Sequence, residues 1–166
     1  MELRLPVNIS HVIQAITLIL LLSGNNAMAD EEKMRLLLIT KSEYKPLPLN
    51  RNELRRLFLG MPVYREGKKL SPLINKSEGF CYQVFLQSII GMSEKRYERA
   101  LLSGFYRQGI ASPIIYEDMN ALLSELKKQE SSITFLFDHS DANSGNADIT
   151  NDKNLNVVQE IWISGK

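Results

Sequence analysis

Cys81 is the only cysteine in the 166-residue chain, and it is the first residue whose type suggests chemistry. His139 is its one possible imidazole partner, because the other histidine, His11, falls in the segment read below as a cleaved signal peptide. A thiol next to an imidazole could act as a nucleophile. Cys81 nevertheless falls among apolar residues at helical spacing, where a small buried side chain is the usual outcome. Asp138, Asp141, Asp148 and Asp152 suggest a calcium loop. Their spacing departs from that of such loops, and no Glu stands where a bidentate ligand is needed, so a solvated acidic loop is expected. No zinc-protease, nucleophile-elbow, phosphate-loop or paired-cysteine motif occurs. Catalytic residues, metal ligands and cofactors are therefore not assigned, and the expectation is a protein without enzymatic activity. Arg51, Arg55 and Arg56 form either an anion-binding face or a solvated helix surface. Tyr64, Tyr82, Tyr97, Phe105 and Tyr106 form either a recognition cleft or the rim of a core.

These residues need elements to hold them. Met34 to Thr40 reads as a buried strand. Asn50 and Glu53 have the spacing of a capping box, and Leu54, Leu57 and Phe58 make one apolar stripe. Gly60 suits the left-handed position after that helix, and Pro62 prevents its continuation. Arg65 to Lys68 is a turn, with Gly67 free to take a positive φ. Leu70 to Ile74 is a strand, with Pro72 suggesting an edge or an irregular exit. A helix is expected from Gly79 to Ile90, ended by Gly91. A second should start at a Ser93 cap and end at Gly104, with Phe105-Tyr106 and Ile110 to Ile115 irregular. Asp118 should cap a helix over 119–129, whose Met119, Leu122, Leu123 and Leu126 repeat at i, i+3, i+4 and i+7. Ile133 to Phe137 and Val157 to Ile163 are strands, with a mobile polar loop over 138–154 between them. The order argues an α/β domain: a small mixed sheet flanked by about four helices.

Residues 1–29 read as a secretory signal peptide. Arg4 precedes the apolar run Val12 to Leu22, and Ala27-Met28-Ala29 supplies an A-x-A cleavage site before Asp30-Glu31-Glu32. An uncleaved anchor is the other reading, although the run is shorter than the roughly 20 residues of a spanning helix. Residues 30–166 would then be one exported, periplasmic domain without later membrane insertion. A single cysteine allows no internal disulfide. The formal net charge of +1 gives no single-sign field to recommend nucleic acid or a membrane surface.

The stretch from Asn50 to Ser112-Pro113 carries a resemblance. Glu53, Leu54, Phe58 and Gly60 are followed by Glu66-Gly67, Leu70 and Pro72-Leu73. Then come Phe85, Ile89-Ile90-Gly91 with Ser93, Phe105, Gln108-Gly109 and Ser112-Pro113. In this order and spacing the chain resembles the phosphate-binding-protein-like branch of the type 2 periplasmic binding proteins, over roughly residues 34–137. The resemblance implies a single lobe of a fold that usually has two. Closure on a ligand would then need a membrane-bound protein partner or a homodimer. It also implies a small anion such as phosphate, held at a helix N-terminus by Ser77, Glu78, Gly79 and Phe80. The family's Ser-Gly-Thr turn falls on Gly79, Phe80 and Cys81, so both hydroxyls are missing. Ser77 could donate, the N–H groups of Gly79 and Phe80 remain, and Glu78 would repel an anion. Two functions follow: a small-anion-binding module, or a protein-interaction or sensor accessory that has lost ligand binding.

Overall fold

A computed structural model describes residues 34–139 and 152–164, all within one compact unit. The expected signal peptide and most of the expected 138–154 loop lie outside the described residues. Among the described residues the fold is mixed α/β, with four helices, a five-stranded sheet and a two-stranded hairpin. In chain order the elements are β1 (Met34–Lys41), α1 (Arg51–Phe58), β2 (Tyr64–Arg65), β3 (Lys68–Lys69) and β4 (Ser71–Asn75). Then come α2 (Gly79–Phe85), which runs into a π-helical turn (Leu86–Ile90), α3 (Glu94–Gln108) and β5 (Ile114–Tyr116). The chain closes with α4 (Met119–Lys128), β6 (Ser132–His139) and β7 (Leu155–Ile163).

The sheet order is β5-β4-β6-β1-β7. β1 is antiparallel to both β6 and β7, while β4 is parallel to β5 and β6. Side chains alternate across a strand, so β1 feeds two cores. Leu36 and Leu38 join Leu54, Leu57, Phe58, Phe85, Tyr97 and Phe135 on one face. Leu37 and Ile39 meet Leu122, Leu126 and Leu136 on the other, under α4. Burial on both faces explains why β1 reads as an unbroken apolar run. Phe85 stacks on Phe135 with ring centroids 3.9 Å apart, and Phe58 meets both rings edge-on at 5.0 and 5.6 Å.

The helix ends follow local chemistry. Asn50 accepts the Glu53 N–H at 3.0 Å, and the Glu53 carboxylate accepts the Asn50 N–H at 2.9 Å. Gly60, at φ 82°, closes α1 in a Schellman arrangement, with its N–H on the Leu57 carbonyl and the Met61 N–H on that of Arg56. Glu66 and Gly67 both take positive φ, as a two-residue type I′ hairpin between β2 and β3 requires. Asp118 caps α4 by accepting the Ala121 N–H at 2.7 Å.

Several expectations are corrected. α3 runs through Gly104 and stops at Gly109, which has φ 64°, so Phe105 and Tyr106 are helical. Ser93 precedes α3 without a side-chain capping bond. The helix after Gly79 is α-helical only to Phe85 and then widens into the π-turn. Ile114 and Ile115, expected to be irregular, form with Tyr116 the edge strand β5 beside β4. Pro72 therefore sits in an inner strand. The Ser71 N–H faces β6, donating to the Ser131 carbonyl, so the Pro72 nitrogen faces the other side, where β5 pairs only from Leu73 onward. Asp138 and His139 belong to β6 and not to a loop.

Candidate functional site

The turn from β4 into α2 holds all four expected ligand residues. Asn75, the fully buried last residue of β4, organises it. Its amide nitrogen donates to the Phe135 carbonyl at 3.4 Å and approaches the Cys81 sulfur at 3.9 Å. Its amide oxygen accepts both the Ser77 N–H, at 3.0 Å, and the Ser77 hydroxyl, at 2.6 Å. The hydroxyl of Ser77, expected as a donor to an anion, here donates to Asn75. The cation in the turn, Lys76, is also engaged: its Nζ pairs with Glu94 at 2.8 Å and lies over the Tyr82 ring. Glu78 takes the N-cap position of α2 but makes no side-chain cap bond, and its carbonyl accepts the Tyr82 N–H. Gly79 and Phe80 are exposed at the start of the helix, where the first N–H groups have no intrahelical acceptor. The Phe80 ring lies 5.6 Å from that of Phe137.

Cys81 is fully buried, and burial first, then the nearby Glu78 charge, pushes its thiol pKa far up. A neutral thiol is a poor nucleophile, and the side chain of His139 lies outside the description. Asp138 forms an ion pair with Arg35, which also reaches Glu160 at 4.0 Å. Asp152 is held low by the Asn154 N–H and by Lys127, within a turn before β7. Asp141 and Asp148 lie outside the described residues. Among the described residues, no group of three or more His, Cys, Asp or Glu could hold a metal ion, and no helix is long and apolar enough to cross a membrane.

The five aromatic residues do not form one cleft. Tyr82 and Tyr97 are core residues, and the Tyr97 hydroxyl donates to the Phe58 carbonyl at the end of α1. Tyr64, Phe105 and Tyr106 are exposed. Phe105 and Tyr106 pack edge-on at the end of α3, near exposed Leu102 in sequence. The three arginines of α1 are exposed. Arg51 lines a groove of about 510 Å³ between α1, the π-turn and β7. No motif marks this groove, because its walls come from three distant stretches: residues 49–54, 84–89 and 159–162.

No family model and no curated protein matches this sequence.

Proposed function

We propose that residues 30–166 form an exported, non-enzymatic interaction module, built like one lobe of a phosphate-binding-protein-like protein, that engages an envelope protein through α3. The observation that carries this reading is the outer surface of that helix. Of its fifteen residues only Tyr97 and Leu101 are buried. Leu102, Phe105 and Tyr106 are 55%, 53% and 79% exposed. Lys95, Arg96, Arg99 and Arg107 stand on the same helix, with no ion pair among the described residues. Exposed aromatic and Arg residues are the types enriched at protein interfaces. A photo-crosslinking residue at position 106 should capture one envelope protein, or a second copy of this chain, and the adduct mass distinguishes them. Leu102→Glu should abolish the adduct, and a crosslinker at Asn52 should give none. No adduct from either 102 or 106 would refute the role of α3.

A second reading is weak anion binding at the start of α2. It is favoured by the exposed first residues of α2, Gly79 and Phe80, whose N–H groups have no intrahelical acceptor. Phosphate or sulfate should then raise Tm saturably. Gly79→Pro, tolerated at a first helical position while removing one donor, should reduce that rise. A flat titration of well-folded protein eliminates this reading.

A further inference from the structure

We propose that the groove between α1, the π-turn and β7 binds a small amphipathic carboxylate, with its head on Arg51 and its apolar body against Leu54, Val84, Ile89 and Trp162. The groove's volume of about 510 Å³ lies within the roughly 300–1,000 Å³ of small-molecule sites. Both long walls are irregular. One is the π-helical turn Leu86–Ile90. The other is β7, whose pairing with β1 shifts register between Leu36 and Leu37 and again between Leu38 and Ile39. The residues skipped on β7 are Ile161 and Val158, and Ile161 lines the groove. Such insertions re-aim side chains and recur beside functional sites. They also blunt an edge strand against pairing, which argues against an added strand as the occupant.

The polar groups around the groove select the ligand. Gln159 is satisfied by Leu49: its Oε1 accepts the Leu49 N–H at 2.6 Å, and its amide nitrogen donates to the Leu49 carbonyl at 3.0 Å. The Ser88 hydroxyl donates to the Val84 carbonyl at 2.6 Å. Glu160 faces Arg35. Arg51 and Gln87 remain, both exposed, and neither has a side-chain partner among the described residues. One unpaired guanidinium beside an apolar wall matches a monoanion, and its planar fork fits a carboxylate through two parallel bonds. A phosphate dianion would require a second cation, and none lines this groove among the described residues. The site shares no residue with α3, so its test is independent of the interaction reading.

Trp162 is the only tryptophan in the chain and lines the groove. Its emission therefore reports occupancy directly. Residues 30–166 would be titrated with octanoate, below its micelle concentration, and with octanol and inorganic phosphate. A saturable emission change is expected with octanoate alone. Arg51→Gln should weaken octanoate about tenfold or more, the effect of losing a charge-assisted pair. Arg55→Gln, on the same helix outside the groove, should leave it unchanged. No saturable change, an equal response to octanol or phosphate, or unaltered octanoate affinity in Arg51→Gln with an unchanged urea midpoint would each overturn the proposal.

Discussion

Asn75 ties the β4–α2 turn to the sheet through bonds in both directions. Replacing it with Ala leaves the buried Phe135 carbonyl and the part-buried Ser77 hydroxyl without this partner. The expected loss is about 1–3 kcal/mol in urea unfolding. Ser77→Ala leaves Asn75 its other partners and should cost about 1 kcal/mol or less. Equal losses would show that Asn75 is not the hub. Cys81 and Tyr97 give the molecule a directional response to alkali. Burial raises both groups, so the folded state favours their protonated forms. Their contribution is intact below the pKa of the unfolded chain, near 9 for the thiol, and declines as pH rises above it. The urea midpoint should therefore fall above about pH 9, with Cys81→Ala showing a shallower fall. Native Cys81 should resist thiol reagents until denaturant is added, and rapid labelling of folded protein would contradict its burial.

At the scale of elements, two glycines with similar sequence signals do opposite things. Gly60 holds φ 82°, and a Cβ there would meet the Ala111 carbonyl oxygen at 2.6 Å and Ile110 Cγ2 at 2.9 Å. Gly104 lies inside α3, where a Cβ would only touch Ile110 at 3.8 Å. Gly60→Ala should lower stability by about 2 kcal/mol or more, through strain and collision. Gly104→Ala should raise it by about 0.5–1 kcal/mol through helix propensity. Thermal unfolding of both variants tests the pair. The same contrast shows what the sequence made readable. α1 was legible because Asn50, Glu53 and Gly60 are local devices acting within a few residues. α4 was legible from its leucine spacing. The end of α3 was not, because Gly104 resembles a stop signal, while the actual stop at Gly109 is set by a left-handed turn with Ile110 folded back on the helix. β5 escaped because its three residues are exposed or half-exposed and show no alternation. The π-turn and the β7 bulges are tertiary adjustments with no local sequence mark. The Arg51 groove they frame was therefore invisible, although Arg51 itself stood out. Ser77 is singled out in the sequence by its position before α2, but its bond to Asn75 depends on how β4 meets the turn.

For the whole molecule, β1 is the element on which both cores depend. It lies between β6 and β7, and its partners come from the far end of the chain: Arg35 pairs with Asp138 at a separation of 103 residues, and Met34 bonds to Ser164 at 130. A chain shortened to residues 30–154 lacks β7 and leaves one side of β1 unpaired. It should lose cooperative urea unfolding and associate through the bare edge; a sharp transition at the full-length midpoint would refute the central role of β1. This arrangement also governs the timing of assembly. β1 is made before either neighbour, and α1 to α4 lie between it and β6 in the chain. Distant pairings of this kind form slowly. A nascent chain of this protein therefore cannot complete its main sheet until β6 and β7 have both been made.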